Sequence, residues 1–275
     1  MQTKIDERTK IKNGKRCDGR AIDDLRPITI KAGVLDNADG SALVEWGRNK
    51  VLAAVYGPRE VLPKHLTNPY KAIFSCRYIM APFSGQEEHG RAGPNRRSIE
   101  ISKVARHVFE SVVLVEQFPK TMIEVYMDVL QSDGGTRIAG ITAAAVALAD
   151  AGIPMRDIPC GVSVGKIDGT MVLDLNKDED NFGQSDMPFV FAPRTGEILM
   201  YQMDGLLSKE EIAEGLRLAR GAVEKIHGLQ VAALKEKYAL VSDGCESSPS
   251  AQNGDGTNGG ALGAGADSPK DGNYV

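Results

Sequence analysis

Apolar and polar positions alternate in short runs along the first part of the chain. Residues 27–31, 41–45, 50–56 and 72–80 read as strands, with turn residues such as Asp39-Gly40 and Gly57-Pro58 between them. The period then changes. Ile101, Val104, Ala105, Val108, Val112 and Val115 recur every three or four residues, which predicts a helix over 96–116 with one apolar face. Residues 122–130 alternate again, with Ile123, Val125, Met127 and Val129 on one side of a strand. Residues 136–151 are apolar nearly all round and predict a helix buried between layers. A second block follows the same order: strands at 161–166, 171–175, 188–191 and 198–202, then one long helix from Ser208 to Tyr238. Ser208 with Glu211 three residues on is a capping-box start. The fold class predicted is α+β, with helices packed on mixed, mostly antiparallel β-sheets.

Composition narrows the class. The chain has 275 residues, 42% apolar and 25% charged, with a net charge of −4. That suits a soluble protein with a sizeable core. No stretch approaches the ~20 apolar residues of a membrane span. Residues 1–20 are polar and of mixed charge, with no apolar leader, so the cytoplasm is the expected location and no membrane is involved. Cys17, Cys76, Cys160 and Cys245 are scattered without a C-x-x-C pair, which argues against a zinc knuckle or a redox motif. After Leu240 the composition shifts to Gly, Ser and Asn with almost nothing to bury. Residues 1–240 therefore read as the globular domain, and 241–275 as an acidic disordered tail.

Three places break the rules of stability. Behind Gly93-Pro94-Asn95, Asn95 is an N-cap candidate, so Arg96 and Arg97 fall in the first turn of a helix. Cations there oppose the helix dipole unless an anion docks beside them. A solvated helix face is the alternative reading. In Asp133-Gly134-Gly135-Thr136-Arg137, a strand passes through two glycines and a hydroxyl into the buried helix. That arrangement aims backbone N–H groups at an anion, with Arg137 as countercharge; a plain turn capped by Thr136 is the alternative. The third place is the acid run Asp174, Asp178, Glu179, Asp180, then Gly183 and Asp186. A reversal at Gly183 would let Asp180 and Asp186 converge, either to hold a divalent cation or to raise one pKa into a general acid. A solvated acidic loop is the alternative. Anion donors, arginines and paired acids together suggest phosphodiester chemistry with phosphate as a reactant. The four histidines form no nucleophile triad, and no G-x-S-x-G elbow is present.

Several stretches in this order resemble the RNase PH family, and within it the catalytic subunits of archaeal exosomes. They include Arg16-Cys17-Asp18-Gly19-Arg20, Asn37-Ala38-Asp39-Gly40-Ser41, Met80-Ala81-Pro82-Phe83-Ser84, Arg96-Arg97, Gln131 to Arg137 and Asp180 to Pro188. The resemblance implies an RNase PH-type fold (ribosomal protein S5 domain 2-like). It implies phosphate-dependent 3′→5′ degradation of single-stranded RNA, with the reverse reaction adding nucleotides from diphosphates. By the same resemblance Asp180 and Asp186 are the catalytic acids and candidate Mg²⁺ ligands. Gly135, Thr136 and Arg137 bind inorganic phosphate, Arg96 and Arg97 hold the RNA backbone, and Lys64 lines a channel. Implied partners are RNA, a related non-catalytic RNase PH-type subunit in a hexameric ring of three heterodimers, and RNA-binding cap subunits. A non-catalytic ring subunit and a homohexameric RNase PH that trims tRNA are the alternatives. Thr136 stands where archaeal relatives commonly have Ser, and Pro188 where polynucleotide phosphorylases have a lysine.

Overall fold

The computed structural model describes residues 11–12, 14–85 and 94–245. The described residues form ten strands and four α-helices, of which nine strands and three helices follow the predicted order. In the first half, β1 (Ile28–Ala32), β2 (Gly40–Trp46), β3 (Asn49–Glu60), β4 (Ile73–Met80) and β5 (Thr121–Gln131) form one sheet in the order β1-β2-β3-β5-β4. Neighbours are antiparallel except β4 and β5, which run parallel. Parallel strands need a long crossover, and α1 (Arg96–Val112) supplies it. Its buried face carries Ile101, Ala105, Val108, Phe109 and Val112. The helix stops short of the predicted Glu116; Val115–Gln117 forms a separate 3₁₀ turn.

The second sheet runs β10-β8-β6-β7, with β9 also on β8. Its strands are β6 (Cys160–Ile167), β7 (Thr170–Leu173), β8 (Ser185–Ala192), β9 (Glu197–Tyr201) and β10 (Asp204–Gly205). Helix α2 (Thr136–Asp150) packs on both sheets, as its all-round apolar sequence requires. Gly40 lets α2 approach the first sheet: a Cβ there would lie 2.2 Å from the Ala147 carbonyl oxygen. Helix α4 (Lys209–Cys245) covers β6, β7 and β1. The predicted capping box opens it, with Ser208 N–H donating to Glu211 and Glu211 N–H to Ser208 Oγ. The helix continues past the boundary expected at Leu240 as far as Cys245; the rest of the expected tail lies outside the described residues. No helix among the described residues is long and apolar enough to cross a membrane.

Besides the two-residue strand β10, one helix was not foreseen. The acid run folds as a short helix, α3 (Lys177–Phe182), in place of an open turn. Asn176 caps it, with Glu179 completing a capping box. Glu179 is almost wholly buried, and Arg16 grips it with Nε at 2.8 Å and with Nη2. Arg26 binds the buried Asp174 through Nε at 3.0 Å and Nη2 at 2.7 Å, and Trp46 Nε1 donates to the same carboxylate at 3.0 Å. Burial opposes the charge on Asp174, but Arg26 outweighs it and holds the carboxyl below its usual range.

Candidate active site

The strand-to-helix junction after β5 turns on two glycines with positive φ, 73° at Gly134 and 69° at Gly135. Gly135 is the N-cap of α2 with no side-chain cap, so Thr136 is not a cap but the first residue of the helix. The first N–H groups of a helix have no intrahelical acceptor, and Gly135 and Thr136 here line an open cleft. The turn is held from behind. Asn49 Nδ2 donates to the Gly134 carbonyl at 2.6 Å, and Arg26 donates to the carbonyls of Asp133 and Gly134.

Gly134 also lies directly on the cap of α3: a Cβ there would meet the Asn176 carbonyl carbon at 2.6 Å. The glycine turn and the acid-bearing helix are thus in backbone contact. Arg26 links them a second time, since it spans the turn and Asp174. With Glu179 turned inward to Arg16, the next residue, Asp180, faces the open side.

Asp186 comes from β8, between Gly165 on β6 and Asp204 on β10. Ser163 Oγ donates to Asp186 Oδ1 at 2.6 Å. Burial pushes the Asp186 carboxyl up to about 6; the Ser163 bond and Arg137 pull down, while Asp180 and Asp204 push up. The Asp180 carboxyl is also raised, by the protein around it, although it is open to the cleft and near Arg97 and Arg137.

These groups meet in one cleft of about 340 Å³, whose wall includes Arg97, Gly135, Thr136, Arg137, Asp180 and Asp186. Arg137 is steered by Gln202, which accepts from its Nη1, and by Glu100, 3.7 Å from Nη2. Its Nε is buried with no partner among the described residues. A buried donor without an acceptor is costly, and an anion at the helix mouth would satisfy it. Arg97 is on the first turn of α1, which Asn95 caps as expected through a capping box with Ser98.

Six of the eight predicted side-chain or turn positions therefore share one cleft. Arg96 is exposed beside it without lining it. Lys64 lies elsewhere, on the exposed 3₁₀ turn Lys64–Leu66, with Nζ 3.0 Å from Glu60. Sequence reasoning missed Ser163, Gln202 and Asp204. Ser163 had left a trace, as the lone hydroxyl between the apolar residues Val162 and Val164 of its strand; Asp204 and Gln202 had left none, because pairing with β8 brings them in. No group of three or more His, Cys, Asp or Glu ligands gathers around one point among the described residues. Two carboxylates still suit magnesium, which completes its shell with water and substrate phosphates.

The sequence matches the 3′ exoribonuclease family, domain 1, over residues 24–154 and domain 2 over residues 157–222. These segments correspond to the first sheet with α1 and α2, and to the second sheet with the first part of α4. Among curated proteins, the exosome complex component Rrp41 of Thermococcus kodakarensis is 56% identical, over 85% of this chain and 94% of its own length. The Rrp41 of Thermoplasma volcanium is 51% identical, over 85% and 96%. Among solved structures, rice Rrp46 superposes with a TM-score of 0.72 at 27% identity, covering 80% of this chain and 100% of its own. A chain of the Archaeoglobus fulgidus exosome, in a structure titled as having RNA bound to the active site, gives 0.67 at 24%, covering 82% and 93%. With both family domains in place over most of its length, the chain belongs to the RNase PH family of 3′ exoribonucleases.

Proposed function

We propose that the chain is the catalytic, phosphorolytic subunit of an archaeal-type exosome, shortening single-stranded RNA from its 3′ end in the cytoplasm. One observation carries the reading: the helix mouth with Arg137 and the acids Asp180 and Asp186 open into the same cleft. Inorganic phosphate is held by the N–H groups at Gly135 and Thr136, the Thr136 hydroxyl and Arg137, and is aligned with the last phosphodiester. Arg97, with Arg96 behind it, grips that diester and spreads its developing charge. A phosphate oxygen bonds to the terminal phosphorus as the bond to the preceding 3′ oxygen breaks. Asp186 gives its proton to that leaving oxygen, and a nucleoside diphosphate departs. A carboxyl raised to about 6 carries a usable share of protons near neutrality. The reverse sequence adds a nucleotide from a diphosphate. Asp180, with Asp186 beside it, would hold a magnesium ion, which supplies charge neutralisation at the substrate phosphates.

The family likeness supports a ring of three heterodimers with a related non-catalytic subunit and RNA-binding caps. The half-buried Leu52, Ala54, Tyr56 and Tyr126 on the sheet face away from α2 supply a surface for such a neighbour. Lys64, exposed on its turn, would meet RNA in a channel that such a ring encloses. In the assembled ring, Asp186→Asn should cut phosphate-dependent release of nucleoside diphosphates from RNA by at least about a hundredfold and leave assembly unchanged. Undiminished release would overturn the assignment.

A further inference from the structure

Tyr78 is almost wholly buried (1% exposed), yet its hydroxyl reaches the wall of the cleft. It stands on β4 opposite Met127, its backbone N–H fixed by Ser102 Oγ at 2.9 Å. The ring lies across α2 at Gly140, where a Cβ would come within 3.6 Å of the ring. Gly140 is one helical turn beyond Thr136, so a ring seated there spans the turn and brings its hydroxyl to Thr136. Tyr78 Oη and Thr136 Oγ1 are 2.9 Å apart.

We infer that Tyr78 is a positioning residue for phosphate, aiming the Thr136 hydroxyl proton into the cleft. The inference rests on the phosphorolytic reading above. The direction follows from donor chemistry. Tyr78 Oη is the donor in its bond to Thr136, and the positive field of Arg97 favours that direction, since a guanidinium offers no lone pair. The tyrosine oxygen keeps its lone pairs toward that cation and gives its one proton to Thr136 Oγ1. Thr136 Oγ, with that lone pair taken, turns its own proton toward an acceptor at the helix mouth, where the phosphate sits. Tyr78 thereby sets the orientation of a phosphate donor without touching phosphate. Burial keeps it in the protonated form this requires, because it raises the phenol above its ordinary value.

Steady-state phosphorolysis by the assembled ring, with phosphate and RNA varied separately, tests this. Tyr78→Phe keeps the ring over Gly140 and loses only the hydroxyl. It should raise KM for phosphate roughly five- to tenfold, less than the loss of a whole hydrogen bond to a charged acceptor, because Thr136 keeps its hydroxyl and loses only its orientation. kcat and KM for RNA should stay within about twofold. Thr136→Ala should raise phosphate KM by at least as much, and Thr136→Ser should restore it. In the Thr136→Ala background, Tyr78→Phe should do nothing further, because the hydroxyl it orients is gone. An unchanged phosphate KM in Tyr78→Phe, or a further loss in the Thr136→Ala background, overturns the inference. If Tyr78→Phe does not fold, Thr136→Ala decides alone, and a phosphate KM equal to wild type overturns it. Wild-type ring that shortens RNA without phosphate would instead remove the phosphorolytic reading itself.

Discussion

Replacing Gly134 with alanine strikes a place where the glycine turn and the cap of the acid helix lie backbone against backbone. The new Cβ would stand 2.6 Å from the Asn176 carbonyl carbon and 2.7 Å from the Lys177 nitrogen, about 0.8 Å inside an ordinary contact of 3.4 Å. Neither neighbour is a side chain that can swing aside. A φ of +73° adds about 1–2 kcal/mol for any residue with a Cβ, and the overlap about 1–3 kcal/mol more. At roughly 2–4 °C per kcal/mol, the thermal midpoint should fall by about 4–20 °C. The larger effect is on chemistry. If the overlap is relieved by parting the two segments, phosphate and acid move apart by nearly 1 Å, a displacement that costs on the order of a hundredfold in rate. Phosphorolysis of end-labelled RNA, measured well below the lowered midpoint, separates the two effects. Gly228→Ala in α4 is the control, since nothing lies within 4 Å of its Cβ and alanine favours helix by about 0.5–1 kcal/mol. Activity within twofold of wild type in folded Gly134→Ala would refute the claim that the turn and α3 act as one rigid unit.

Other outcomes follow from the same geometry. Asp186 has a folded pKa near 6, above its unfolded value of about 3.8, so the stability it contributes is present below the unfolded value and lost as pH rises through 6. Asp186→Asn should therefore be inactive yet more stable above pH 6, by up to about 3 kcal/mol, read as a higher thermal midpoint at pH 7.5 but not at pH 4. Because the protonated acid is the working form, wild-type kcat at saturating phosphate should fall as pH rises through about 6, and a flat profile from 5 to 8 would contradict that role. Arg26→Met should cost about 3–5 kcal/mol, because it leaves Asp174 charged and unpaired inside the protein; denaturant unfolding measures it. Ending the chain after Cys245 should leave the unfolding midpoint and phosphorolysis rate unchanged, the test of the expected tail.

The site was legible where its signal was local. Two glycines, a hydroxyl and an arginine between a strand and an apolar helix announced the tight turn that opens α2 on the cleft, and Asn95 announced the start of α1. The two acids could be named as a pair because Gly183 separates them by a short chain. What the letters hid was non-local. Glu179 and Asp174 read as solvated acids in a loop, but arginines from the N-terminal segment bury them, and that burial turns the loop into α3. Asp204 reaches the cleft only by lying opposite Asp186 across β10 and β8. The parallel pairing of β4 with β5, which carries Tyr78 to α2, follows from a crossover that no alternation within either strand reveals.

The chain has a single tryptophan, and its indole N–H is bonded to the carboxylate that anchors Arg26. Nature has in effect wired a lamp to the brace behind the reaction centre. Emission from Trp46 should register any loosening of that brace in a protein otherwise untouched, so that substrate arrival, acid stress or a damaged clamp can be watched in real time without a dye.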